Sequence, residues 1–269
     1  MAYRFGAANT DDATWTESAS PWGATQRSGV IAGWYYPTAL TAGNALWSVG
    51  GVNRAVVAAT TSEIDLWLDR TTDTQWRTSG LNLAIDQWHF IAVALNNFNT
   101  GPVTTFKVWR SVGTGIPTPV TVAVVGAGSG NAVGGTIVSI GNLSATGTSS
   151  FVGDIGRFDY FVATLANAFI DNTNGTIDVE QERRAFENVV IPIWQGRFPT
   201  FLNSGQNSNN GITHVVADLD QGSYVRSVRN GGTTITMDRG ITIAGATVSQ
   251  NRSPIATVGP VAWPNSLRR

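Results

Sequence analysis

The sequence contains no cysteine, which excludes a disulfide framework, thiolate metal sites and cysteine nucleophiles. Histidine occurs only as His89 and His214, which argues against a Ser-His-Asp relay or a histidine metal cluster. Charged residues make up 13% of the chain, where about 25% is typical. The net charge is −1, which excludes a strongly basic nucleic-acid binder and an acidic tail protein. No run of about 18 apolar residues occurs, so no membrane-spanning helix is expected. Residues Met1–Gly6 lack the basic stretch and apolar core of a secretory signal. The chain is therefore expected to be made in a cytosol, with a final location in a particle assembled there.

What is present is chain enough, at 269 residues, to bury a sizeable core. Hydrophobic residues are 42%, which rules out wholesale disorder. Among the basic residues Lys107 is the one lysine. Lysine is depleted in interface cores, where arginine is enriched. That bias fits either codon usage or a surface that lies against other subunits.

Short β-rich stretches alternate with Gly, Thr and Asn. Strands are expected at residues 3–5, 30–36, 45–49, 54–59, 64–69, 88–95, 104–109, 120–125, 136–140 and 155–162. This spacing suggests a sandwich or barrel. One helix is expected over residues 179–189, with Asp178 as cap and Gln181 completing a capping box. Val179, Arg183, Phe186 and Val190 would form its buried face. The glycine-dense stretch Gly126–Gly135 reads as a loop, since Asn131 stands where a dinucleotide fingerprint needs its third glycine. Composition shifts near residue 196, so two parts are expected: a sandwich over 1–195 and a β extension with a proline-spaced arm over 196–269. In the second part Gly205–Gly211 reads as a hinge and Asn230-Gly231-Gly232 as a turn. Strands are expected there at 213–219, 224–228, 233–237 and 241–248. Pro254, Pro260 and Pro264 keep the tail out of a central sheet.

Five elements follow one another in a recognisable order. They are Ser28–Thr38 with its Gly33-Trp34, Trp88-His89-Phe90-Ile91-Ala92-Val93, Phe106-Lys107-Val108-Trp109, Ile140-Gly141 and Phe151-Val152-Gly153-Asp154-Ile155. This set resembles the concanavalin A-like lectin/glucanase superfamily in its laminin-G-like form, across roughly residues 1–175. The resemblance implies an all-β, two-sheet antiparallel jelly-roll sandwich. It departs from the family at Gly156, where an acidic residue is usual. Asp154 and Asp159 alone are too few for a calcium site needing six to eight oxygens, so no metal and no cofactor is expected. Relatives include sugar binders, glycosidases, adhesion modules and virion structural domains, so fold alone does not assign function.

The best catalytic candidate is Glu63-Ile64-Asp65-Leu66-Trp67-Leu68-Asp69. Alternation puts Glu63, Asp65, Trp67 and Asp69 on one strand face. Glucanases of the superfamily pair two glutamates on such a strand, with carboxyls about 5–5.5 Å apart in retaining enzymes. Here Trp67 or Leu68 stands at the second position, and Glu63 and Asp69 would be about 20 Å apart. A solvated face over core leucines is the better reading, and no enzyme is expected. His89 beside Trp88 reads as a structural histidine.

Aromatics are the richest feature. Trp34, Trp88, Phe90, Phe106, Phe151 and Phe158 are expected in the core. Trp47, Trp67 and Trp76 are expected to face outward, as contacts for a glycan or for a partner subunit. Residues 88–95 are apolar on both faces, so something must cover the outer side of that strand. These features together suggest a bacteriophage virion structural or decoration protein. It would contact capsid or tail subunits and form a homo-oligomer. A glycan-binding module for host attachment is the alternative, and a glycoside hydrolase is the third reading.

Overall fold

The computed structural model describes residues 2–6, 11–16, 26–69, 71–96, 105–128, 135–143, 149–164, 179–197, 212–219, 224–229, 235–240 and 242–254. The chain is an all-β antiparallel sandwich with one helical segment. Its strands are β1 Ala2–Phe5, β2 Asp12–Thr16, β3 Gln26–Pro37, β4 Ala45–Val49, β5 Asn53–Val57, β6 Ile64–Leu68, β7 Thr74–Ser79, β8 His89–Asn96 and β9 Thr105–Val112. They continue as β10 Thr118–Gly126, β11 Ile137–Ile140, β12 Gly153–Thr164, β13 Ile212–Asp218, β14 Tyr224–Arg229, β15 Ile235–Gly240, β16 Thr242–Ala244 and β17 Thr247–Ser249.

Two layers form. In the first, β12 pairs with β3, β3 with β8, β8 with β9, and β9 with the start of β10. The other side of β12 takes β1 along its first residues and β13 along the rest. In the second, β2, β11, β4, β5, β6 and β7 pair in that order, and β7 takes the end of β10. Strand β10 thus passes from one layer to the other. The opposite margin is bridged in a similar way, since β16 pairs with β2 and β17 with β1. Gly245, at φ +70, turns the chain between them, so the stretch read as one strand over 241–248 is two. Residues after 196 accordingly add strands to both layers.

The main core lies between the layers. Ile31, Tyr35, Ile91, Val93, Phe106, Phe151, Phe158 and Tyr160 meet Trp15, Leu46, Leu66, Trp76 and Val138 there. Alternation dictates this, because every second residue of each strand faces inward. Strands β2 and β7 were not expected. The inward positions of β7 are Thr74, Trp76 and Thr78, so two buried threonines hide its apolar period.

A second cluster lies on the outer face of the first layer. Val30, Ala32, Trp34, Phe90, Ala92, Ala94 and Trp109 are covered there by Ala185, Val189, Val190, Ile193 and Trp194. The cover is the helical segment, running as α1 Val179–Ala185, a π-turn Phe186–Val190 and α2 Ile191–Trp194. Lys107 of β9 pairs with Glu182 at 2.8 Å and tethers α1. The buried face differs from the expected one: Val179 is exposed. Arg183 is exposed as well, paired with Glu180 and Glu187, while Ala185 already faces inward and Val190 is buried as expected; a π-turn follows, in which the Ile191 N–H reaches back to Phe186 O. It precedes Pro192, which has no N–H to donate and whose ring crowds an α-helical carbonyl. Within and beyond this wide turn Val189, Val190 and Ile193 are buried. The proposed cap Asp178, the hinge 205–211, the turn 230–232, residues 129–134 of the glycine-dense loop and the tail beyond 254 lie outside the described residues.

Candidate functional site

The structure separates the three tryptophans expected outside. Trp47 and Trp76 are each 3% exposed and belong to the main core, which corrects their outward placement. In β4 the register shifts between Ala45 and Trp47. This bulge turns both Leu46 and Trp47 inward, where strict alternation would oppose them. Trp76 packs edge-on to Phe106, with centroids 4.3 Å apart. Trp67 stays half-buried on the outer face of the second layer.

Around Trp67 the strand register builds a row across that face. Ser139 stands opposite Ser48, Ser48 opposite Arg54, Arg54 opposite Trp67, and Trp67 opposite Gln75. The Arg54 guanidinium carbon lies 5.1 Å from the Trp67 ring centroid, a cation–π distance. Arg54 also donates to Gly51 O. Gln75 reaches the next row, donating to Asp65 at 3.0 Å. Arg77 grips the same carboxylate with two bonds, at 2.6 and 2.8 Å. Asp69 follows β6, and its carboxyl is held above the usual carboxylate range by burial and by a hydrogen bond with Asp73.

The catalytic candidates have structural duties. Glu63 accepts from Thr78 Oγ1 at 2.6 Å and from the backbone N–H groups of Gly80 and Leu81. It therefore pins the start of the loop before β8. Asp65 is neutralised by Arg77. His89 is fully buried and its Nε2 lies 3.0 Å from Ala84 O, closing the same loop. Burial pushes its imidazole down to about 4, so it is neutral at pH 7. Of His214 only the backbone is described; it pairs with Phe161.

The two carboxylates considered for calcium are also engaged. Buried Asp154 takes both Arg4 Nε and Nη2 at 2.7 Å and Asn251 Nδ2 at 2.9 Å. Asn251 in turn accepts from the Trp88 indole. Asp159 takes Arg157 at 2.7 Å through two bonds, and Arg157 Nη1 donates to Gly196 O at the helix end. Among the described residues no group of three or more His, Cys, Asp or Glu could hold a metal ion. The Arg54–Trp67 stack was invisible to sequence reading, because it depends on which strands pair. The Arg4–Asp154–Asn251 hub joins residues far apart in the chain and left no local signal.

The fold and this face define a β-sandwich with a polar, tryptophan-centred outer row. No family model and no curated protein matches the chain. Among solved structures it is similar to a candidate carbohydrate-binding protein from Bacteroides ovatus ATCC 8483, at 14% identity and TM-score 0.42, over 90% of this chain and 58% of that one. It is also similar to the enzymatically active domain of tailspike protein 2 of bacteriophage CBA120, at 15% identity and TM-score 0.42, over 70% of this chain and 27% of that one. The chain thus spans less than two thirds of either. At such similarity neither assigns a family or a function.

Proposed function

We propose that the chain is a non-catalytic structural subunit of a bacteriophage particle, a lectin-like sandwich whose exterior is completed by neighbouring subunits. One observation carries the reading. Strand β10 and its preceding turn expose aliphatic side chains in a stretch without charge: Ile116 is 60% exposed, Val124 56% and Val125 51%. Apolar surface of this kind marks an interaction site when contiguous. The internal use of Glu63 and Asp65 supports a non-catalytic role, since neither carboxylate is left to activate water or protonate a leaving group. The superfamily resemblance and the single lysine support the particle setting. Peptide mass spectrometry of purified particles from the source tests it. The expected result is this chain at a fixed copy number per particle. Its recovery only in the unassembled fraction would contradict the proposal.

Trp67 favours a second reading, glycan binding on the outer row. The half-buried Trp67 ring with the Arg54 guanidinium over it offers an aromatic surface and planar donors side by side. A glycan array would show hits lost in Trp67→Ala, and an array without hits would remove this reading. Trp76→Ala does not serve as a test, because Trp76 is core.

A further inference from the structure

We propose that β10 is a self-pairing edge, through which two copies of this chain join antiparallel about a two-fold axis at Ala123. The inference deepens the assembly role just proposed by naming the partner. Residues Thr121–Gly126 pair with β7 on one side. On the other side no strand pairs with them among the described residues, since the contact with β9 stops at Val120. None of the nine residues of β10 is buried. Unpaired N–H and C=O groups along such an edge are a template for another strand.

Exposed edges are usually blunted by charge, proline or bulges. Here no charged residue occurs from Ser111 to Gly153. Pro119 lies at the near end of the run, and at the far end Val125 is the extra residue of a bulge between Val124 and Gly126. Between them stands Thr-Val-Ala-Val, residues 121–124. This charge pattern selects the occupant. A strand with no charge offers a charged partner nothing to pair with, while two identical uncharged strands meet without repulsion. Centred on Ala123, antiparallel pairing sets Val122 of each copy against Val124 of the other. Such β-branched cross-strand pairs are favourable, and the small side chain at the axis lets the backbones approach. The same edge of each copy forms the contact, so it is isologous and closes at two subunits.

The absence of native cysteine makes the test clean. Purified Ala123→Cys, under mild oxidation, should form a disulfide-linked dimer at least tenfold faster than Val248→Cys, a control at a 54% exposed position on β17. Opposed residues at a two-fold axis bring their Cβ atoms to about 4.5–5.5 Å, near disulfide range. In parallel, sedimentation velocity from about 5 to 500 µM should show a monomer–dimer equilibrium in the wild type. Val124→Lys, at a solvated position, should weaken it at least tenfold with an unchanged circular dichroism spectrum. Equal cross-linking rates, a monomer at every concentration, an open-ended oligomer, or a dimer indifferent to Val124→Lys would each overturn the proposal. A dimer in purified protein stands whether or not the chain is found in particles, so this test and that of the particle role fail separately.

Discussion

The outer faces of the two layers start from similar strands and meet opposite fates. On the first layer, β3 and β8 are apolar on both sides, and the helical segment seals the outer side with Val189, Val190, Ile193 and Trp194. On the second layer the outer side carries Arg54, Trp67, Asp65, Gln75 and Arg77, which satisfy one another. The chain thus closes its apolar outer face with its own helix, and among the described residues no such cover lies on the polar one. Strand β10 fits neither pattern, being apolar, uncharged and uncovered. The lesson is that Trp47 and Trp76 belong to the core, and that among the described residues the exposed aliphatics Val124 and Val125 stand together on one strand while others, such as Val179 and Val248, are scattered.

Substitutions can break this contrast in order of size. Trp34→Ala empties the covered face, where truncating a large aromatic costs about 3–5 kcal/mol; urea unfolding should show it as a lowered midpoint. Asp159→Ala comes next. It leaves the Arg157 guanidinium buried without its carboxylate and should cost about 3 kcal/mol, again by urea unfolding. His89 gives a pH signature. Its imidazole ordinarily titrates near 6.5 and is held at about 4 in the fold. Between those values the unfolded chain binds more protons, so stability falls as pH drops from 6.5 toward 4. The loss reaches at most about 3 kcal/mol, and it should be missing from the pH profile of His89→Gln. Trp67→Ala on the outer face of the second layer has the smallest effect, about 1 kcal/mol or less. If Trp67→Ala proved as costly as Trp34→Ala, the contrast between the faces would be false.

Much of the fold was legible. The tryptophan strand, the strand after Trp88 and the Phe151–Ile155 strand fall where the sequence places them. Trp34, Trp88, Phe90, Phe106, Phe151 and Phe158 are buried as expected. The double-sided apolarity of residues 88–95 required a cover, and the helix provides it. The misses share a cause, namely breaks in period. The β4 bulge brings Leu46 inward beside Trp47, the π-turn places Val189 and Val190 both inside, and buried Thr74 and Thr78 concealed β7 around Trp76. The site was less legible, because its contacts are cross-strand. Nothing in the order Arg54, Asp65, Trp67, Gln75, Arg77 states that β5, β6 and β7 lie side by side in that register.

Amide hydrogen exchange over a dilution series compares the covered strand and the edge in one experiment. Amides of Phe90–Leu95 should exchange slowly at every concentration, because the covering helix belongs to the same chain. Within Thr121–Val124, the amides whose N–H points away from β7 should exchange quickly when dilute and slow down as dimers form. Slow exchange of those outward amides in dilute protein, or fast exchange at the highest concentration, would contradict an edge that is completed by a second copy.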